Sequence, residues 1–177
     1  TAYKLNYAIN YKSGKILGVY NLTDKQEIEA GFQVNHYAIS PGTMVPTLPT
    51  SNKNAISLNN EQGLESAFFI NDKIDITKKL NIGVGVRFVN YQSLGNATVY
   101  SYEEGQPKSI LSLKDSVSYD KGKVVKSYGS IEPRFSLNYN VNSSSSIKLS
   151  ANRMRQFIQL LSGTTAALPT DRWKLSD

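Results

Sequence analysis

The chain has 177 residues, of which 40% are hydrophobic and 19% are charged, which suits one ordinary folded domain and excludes a disordered tail. It has no cysteine, which excludes a disulfide framework and a thiolate metal site. The net charge of +6 comes from scattered rather than clustered lysines and arginines, so we expect no nucleic-acid partner. No run of about 18 apolar residues is present, so no membrane-spanning helix is predicted.

Apolar and polar residues alternate at every second position along most of the chain. In one such run, Leu80 and Ile82 alternate with Asn81 and Gly83. Successive side chains of a strand point to opposite faces, so each run predicts a strand with one apolar and one polar face. In chain order the sequence predicts seven strands, over residues 3–11, 15–23, 27–39, 64–76, 79–92, 127–142 and 145–161.

The connections between these strands fall into two classes. Those at 23–26, 77–79 and 142–145 are short and polar, whereas 40–63, 93–126 and a segment from 163 are long. A meander with all its short turns at one end is typical of outer-membrane barrels, and only a predicted turn at 12–15 breaks the pattern. Within 93–126 we expect two hairpins, with turns near Gly105 and Gly122. The proline-rich start of 40–63 predicts an irregular loop.

Several charged residues share the polar parity of their strands. We therefore expect one face, lining a wet interior, to carry Glu27, Glu29, Arg87, Glu132 and Arg134, where these charges avoid lipid. Pro133 cannot donate a ladder hydrogen bond and is expected near a strand end or a bulge. Arg153 and Arg155 share the apolar parity of the last strand, so either they lie beyond the bilayer or a bulge near Asn152 swaps the faces.

A soluble β-sandwich or lipocalin-like barrel is the main alternative, because its strands also alternate but turn their apolar faces inward. Strands longer than the ~5–6 residues of globular sheets, loops at one end and a charged second face favour a membrane barrel. An open sheet edge in a bilayer would leave backbone groups unpaired. We therefore interpret residues 1–177 as a partial transmembrane β-barrel domain, an antiparallel up-and-down meander belonging to a larger barrel.

Three motifs carry a family resemblance: the "EPR" triplet, the "NRM.Q" run and the "PTD.W" segment, all within residues 130–177. With the strand–turn–strand "INDKIDITKKLNIGVGVRF" at 70–88, they resemble the TonB-dependent outer-membrane receptors, in the group with an N-terminal carboxypeptidase-regulatory-like domain. The resemblance covers about two thirds of the chain. It implies a bacterial outer-membrane barrel of about 22 strands with an N-terminal plug.

Such receptors capture a scarce ligand at external loops and import it when TonB rearranges the plug. The resemblance therefore implies outer-membrane lipid, the rest of the barrel and plug, and TonB as partners, with a surface lipoprotein as a further candidate. We recognise neither a plug nor a TonB box in these residues, so only loop residues can be assigned to ligand. Five aromatic residues are candidates, although aromatics also stabilise extended hairpins: Tyr91, Tyr100, Tyr102, Tyr119 and Trp173.

The sequence gives no sign of catalysis. His36 is the only histidine, so a His-rich zinc site is impossible and a Ser–His–Asp triad would need this one residue. The G-x-G within 83–88 lies in a strand and fails as a dinucleotide motif. We predict no enzyme activity, no cofactor and no metal. Ligand uptake is the first functional hypothesis; a structural or secretion-associated barrel and a soluble sandwich adhesin are the alternatives.

Overall fold

The computed structural model describes residues 3–48, 54–57, 59–107, 109–161 and 172–175. Within this part the chain is all-β, with one turn of 3-10 helix at Ile110–Ser112 and no α-helix. The strands are β1 (Tyr3–Thr23), β2 (Gln26–Pro46), β3 (Ile56–Ser57), β4 (Glu61–Thr77), β5 (Leu80–Leu94), β6 (Ala97–Tyr102), β7 (Leu113–Tyr119), β8 (Val124–Asn140), β9 (Ser146–Asn152), β10 (Ile158–Leu161) and β11 (Arg172–Leu175).

Most of the strands form one antiparallel sheet in the order β1-β2-β4-β5-β8-β9, with the short β3 beside β2. The predicted all-β up-and-down meander is therefore confirmed. Two small sheets accompany this main sheet, β6 with β7 and β10 with β11. Within the described residues β1 and β9 do not pair with each other, so the main sheet is open rather than a closed barrel.

The first hairpin corrects the prediction of two short strands at 3–11 and 15–23. Residues 12–15 form no turn, because Gly14 lies opposite Val34 inside the continuous pairing of β1 with β2. A partner strand of equal length supplies ladder hydrogen bonds that outweigh the local turn preference of the Ser-Gly pair. The correction also removes the one short turn that stood at the wrong end. The short connections 24–25, 78–79 and 141–145 now lie at one end of the sheet, and 47–60 and 95–123 at the other.

Two of the short turns share one local chemistry. The backbone N–H of Lys25 donates to Thr23 Oγ1 at 3.2 Å, and that of Lys79 donates to Thr77 Oγ1 at 3.1 Å. A threonine hydroxyl that accepts from the backbone two residues later favours a tight turn. The sequences "TDK" and "TKK" therefore reverse the chain in the same way.

The predicted loop 40–63 is shorter than expected. Strand β2 runs on to Pro46, and between Asn6 and Ala8 of β1 the register shifts as at a β-bulge. Gly42 at this irregularity has a φ of 140°, which favours glycine. A bulge thus lets the proline-containing segment stay in the sheet. Residues 49–53 and 58 of the predicted loop lie outside the described residues.

The segment 93–126 contains one of the two predicted hairpins. Strands β6 and β7 pair across a connection that contains Gly105, as expected. Gly122 has a φ of 80° and lies in a turn, but the strands on its two sides, β7 and β8, do not pair. Strand β8 instead pairs with β5 from Val124 onward, so the second predicted hairpin is wrong. The Gly122 turn returns the chain from the β6–β7 hairpin to the main sheet.

The last predicted strand, 145–161, is also wrong as a single element. Strand β9 ends at Asn152, and residues 153–157 are irregular before β10 begins. Pro133 lies inside β8 rather than near its end, but its carbonyl accepts from the Arg153 N–H at 3.1 Å just where β9 stops pairing. Proline has no N–H, so Pro133 cannot donate the return hydrogen bond to β9, and the pairing of β8 with β9 ends at this point. Arg153 and Arg155 therefore lie beyond the end of β9, and no β-bulge near Asn152 exchanges the two faces of this strand.

The two faces of the main sheet show the reverse of a water-soluble pattern. Where the structure describes side chains, the buried residues of its strands lie on the face shared by Glu27, Glu29, Arg87, Glu132 and Arg134, here called the polar face. The described residues of the opposite apolar face are half-buried or exposed. Its central feature is a row of large side chains directly opposite one another on five strands, here called the aromatic row: Ile16, Phe32, Phe68, Phe88 and Ile131.

Members of the aromatic row are 46–76% exposed, although each is large and apolar. Apolar residues continue from this row toward the short turns, as far as Leu80 and Tyr139. The nine residues from Leu80 to Phe88 span roughly 26 Å along the strand, or about 20 Å of height at a typical barrel tilt. An apolar band of about that height is characteristic of a sheet that faces lipid.

Candidate functional site

The five predicted interior residues lie on one face, as their parity indicated. Arg87 of β5 is directly opposite Glu132 of β8, and Arg134 is opposite Gly85. Glu27 and Glu29 of β2 lie opposite Lys73 and Asn71 of β4. The pairing places all five on the polar face, but it divides them into a central group around Arg87 and a group nearer the short turns.

The central group is a buried charge cluster. Arg87 Nη2 lies 3.3 Å from Glu65 Oε1, and Arg87 Nε lies 4.0 Å from Glu132 Oε2. The three side chains are between 5% and 21% exposed. A charge held away from water is stabilised only by close partners, so the arginine holds two carboxylates together across β4, β5 and β8.

Asn35 extends this cluster to the first two strands. Its Oδ1 accepts hydrogen bonds from Tyr11 Oη at 2.9 Å, Ser13 Oγ at 2.8 Å and Gln33 Nε2 at 3.1 Å. Its Nδ2 donates to Glu65 Oε1 at 3.1 Å. The buried amide thus joins the hydroxyls of β1 to the charges of β4 and β5. Sequence reasoning did not single out Asn35 or Glu65, although both have polar parity within predicted strands.

Near the short turns the polar face is more open. Glu29 Oε1 accepts from Asn71 Nδ2 at 3.2 Å, and Lys73 Nζ lies 2.7 Å from Glu27 Oε1. The Lys73 and Glu27 side chains are 63% and 38% exposed, so water screens this pair. The predicted interior charges therefore have two environments, a buried cluster and a solvated rim.

Aromatic rings pack beside the charge cluster on the same face. Tyr11 and Tyr37 have ring centroids 5.3 Å apart, Tyr37 and Tyr91 are 6.4 Å apart, and Tyr91 stacks on Phe157 at 5.8 Å. Tyr91 reaches Tyr37 by lying across β4 at Gly63, where an added Cβ would be 2.0 Å from Tyr91 Oη. Glycine at this position therefore makes the line of rings possible.

The irregular segment 153–157 folds onto the polar face. The Arg155 backbone N–H donates to Glu132 Oε1 at 3.0 Å, and the Arg155 guanidinium lies 5.9 Å from the Phe157 ring centroid. Phe157 is buried against Tyr91, Ala67 and Val89. The charge cluster and the aromatic line thus share one covering segment, which sequence periodicity could not place.

The predicted ligand-loop residues do not come together. Tyr91, predicted near a long loop, lies inside β5 and is 3% exposed. Tyr100 and Tyr102 share one face of the β6–β7 hairpin by register, whereas Tyr119 shares the other face with Ala97. Trp173 lies in β11 opposite Leu160. The loop predicted from 163 falls mostly on residues 162–171, outside the described residues.

No family model, no curated protein and no solved structure matched this chain. Among the described residues, no helix has the length and apolar character needed to cross a lipid bilayer. In the same part of the chain, no group of three or more His, Asp or Glu side chains is arranged to hold a metal ion. The described residues form a sheet with a polar, hydrogen-bonded face and an apolar face.

Proposed function

We propose that the chain forms part of the wall of an outer-membrane β-barrel, with its polar face toward a wet or plugged interior and its apolar face in lipid. The observation that carries this proposal is the inverted burial of the main sheet. Phe32, Phe68 and Phe88 are nearly half exposed, while Asn35 and Glu132 are buried. Water would penalise this arrangement, whereas a bilayer favours it because the exposed side chains then meet acyl chains.

Burial of the polar face supports the same proposal. On this face, larger side chains lie over glycines of the neighbouring strand: Phe69 occupies the space above Gly31, and Asn71 the space above Gly85. Such crowding is expected on the inner surface of a curved sheet, where side chains converge. The apolar surface is continuous over five strands, larger than the isolated patches normal on soluble monomers.

We further propose that this barrel serves ligand uptake as a TonB-dependent receptor. The motifs in 70–88 and 130–177 carry that part of the proposal, and the location of all long connections at one end supports it. The open edges at β1 and β9 fit a segment whose remaining strands close the barrel, because open edges are not stable in lipid.

The test is expression of the complete gene in a Gram-negative host, followed by membrane fractionation and a heat-modifiability assay. We expect the protein in the outer-membrane fraction, extracted only by detergent, with a faster electrophoretic mobility before boiling. A soluble, detergent-independent monomer would contradict the barrel. Loss of uptake of a supplied nutrient on deletion of the host's TonB would support the receptor, whereas unchanged uptake would favour a structural or secretion-associated barrel.

A further inference from the structure

Beyond the aromatic row, the apolar face changes character toward the long connections. The next two rows across the sheet combine hydroxyl, amide and basic side chains with a few small or aliphatic ones, and neither row contains Asp or Glu. We call these two rows the collar: Gly14, Val34, Ser66, Asn90 and Gly129, followed by Lys12, His36, Leu64, Gln92 and Ser127.

The carboxylates at this level of the main sheet point the other way. Glu61 and Glu65 of β4 lie opposite Ile39 and Asn35 of β2 and therefore belong to the polar face. At this level the outward side of the main sheet carries Lys12, His36 and otherwise neutral groups. This division favours an anionic partner on the outside of the sheet.

A pocket of about 350 Å³ continues the collar beyond the end of the main sheet. Gln62, one of its lining residues, belongs to the same face as Phe68, six positions away in β4, and so connects the pocket to the outward side. Its polar lining is formed by four amide side chains, one hydroxyl and one ammonium: Asn59, Asn60, Gln62, Asn96, Thr98 and Lys121.

Backbone contacts fix the wall of this pocket. Gly95 N–H donates to the Lys123 carbonyl at 2.8 Å, and Gly122 N–H donates to the Gly95 carbonyl at 2.8 Å. An added Cβ at Gly95 would lie 2.6 Å from the Asp120 carbonyl oxygen, so the two strand connections can approach this closely only at a glycine. The side chains of Asn96 and Lys121 are therefore carried by a defined double turn rather than by two independent loops.

Amide side chains both donate and accept hydrogen bonds, which suits sugar hydroxyls, and a lysine suits a phosphate or carboxylate. The six positions from Phe68 to Gln62 span roughly 20 Å along the strand, or about 15 Å of height at a typical barrel tilt. The headgroup layer of an ordinary phospholipid leaflet is only about 5–8 Å thick, so such a headgroup does not reach from the aromatic row to the pocket. The longer headgroup of a glycolipid that carries an oligosaccharide does reach from the aromatic row to the pocket.

We propose that the collar and the pocket bind the anionic oligosaccharide headgroup of a glycolipid whose acyl chains lie against the aromatic row. This inference rests on the proposed membrane location of the apolar face. It adds a specific lipid partner on the outer wall, separate from any ligand that the interior of the barrel transports.

The test uses the complete protein in detergent and native mass spectrometry to measure binding of lipopolysaccharide and of phosphatidylglycerol. The pocket variant is Asn96→Ala with Lys121→Ala, and the matched control is Lys114→Ala, an exposed lysine of β7 that does not line the pocket. We expect lipopolysaccharide to bind about tenfold more weakly to the pocket variant, since an ionic and a neutral hydrogen bond are lost. Phosphatidylglycerol binding and the control should be unchanged, and heat-modifiable mobility should show that both variants are folded.

Equal lipopolysaccharide binding by the pocket variant and the original protein would overturn the inference. So would equal affinity for phosphatidylglycerol, which would indicate charge attraction alone. A lipid-free phosphorylated oligosaccharide that binds as tightly as lipopolysaccharide would also overturn it, since the pocket would then be a site for a soluble ligand. Purification without detergent would instead contradict the proposed function, so the two failures are distinguishable.

Discussion

Glu132 and Ile131 are neighbours in β8, yet the glutamate is 3% exposed and the isoleucine 57% exposed. The same difference in burial separates the two faces of β2, β4 and β5. On the polar face, burial comes from side chains packed over glycines and from a charge cluster, and among the described residues the segment around Phe157 covers part of it. On the apolar face no protein layer among the described residues covers the side chains. In the proposed function, the surrounding lipid rather than a second protein layer stabilises the apolar face.

The largest expected effect comes from breaking the charge cluster. Arg87→Met should destabilise the folded protein by about 3–5 kcal/mol, because Glu65 and Glu132 lose their shared cation while buried. Urea unfolding in lipid vesicles measures the change. The control is Lys73→Met in the solvated pair with Glu27, where we expect at most about 1 kcal/mol. Equal losses of stability in the two variants would show that the charge cluster around Arg87 is no more buried than the solvated pair.

The apolar face is tested by placing a charge in the aromatic row. Phe68→Arg should cost about 2–4 kcal/mol in a bilayer, because the guanidinium must leave water. The matched control is Val99→Arg on the β6–β7 hairpin, where a valine of similar exposure lies outside the main sheet and a charge stays hydrated. The same urea titration applies. A negligible change at Phe68 would mean that this face already contacts water.

The packing of the polar face depends on glycine at one crossing point. Gly63→Ala should cost about 1–3 kcal/mol, since the new Cβ would lie 2.0 Å from Tyr91 Oη and the buried ring must move. Gly14→Ala on the apolar face is the control, because no atom lies within 4 Å of its Cβ position. Thermal unfolding of the two variants should differ clearly. If both behave alike, the line of rings contributes little to stability.

The smallest effect concerns the one carboxylate of the main sheet on the apolar face. Asp72 lies between Ile28 and Val84, and its Oδ2 accepts from Gln26 Nε2 at 2.8 Å. Asp72→Asn should stabilise the protein in vesicles by about 1 kcal/mol, because it removes a charge that faces lipid near the short turns. Asp75→Asn on the polar face should give no gain. Destabilisation by Asp72→Asn would indicate that this carboxylate has a cationic partner.

Period-two alternation predicted most of the main sheet, because a strand with two different environments must alternate. It assigned Glu27, Arg87 and Glu132 to one face for that reason. It failed at residues 12–15, where long-range pairing with β2 overrides a local turn signal, and at 153–157, where the loss of a ladder donor at Pro133 ends β9.

The side-chain contacts at the centre of the site could not be predicted from the sequence. The contacts of Asn35 with Glu65 and of Tyr91 with Phe157 join positions 30 or more residues apart, and they depend on register. Parity indicates a face but not which side chains meet there. The pocket at Asn96 and Lys121 depends in turn on how two connections cross, which alternation does not describe.

The most direct test of the central claim compares Phe135 and Ser136, two exposed neighbours on opposite faces of β8. The chain has no cysteine, so single Phe135→Cys and Ser136→Cys variants can be spin-labelled without background. In vesicles we expect the label at position 135 to be accessible to oxygen and shielded from a water-soluble nickel chelate, and the label at 136 to show the reverse. Equal accessibility of both labels to the nickel chelate would contradict the account.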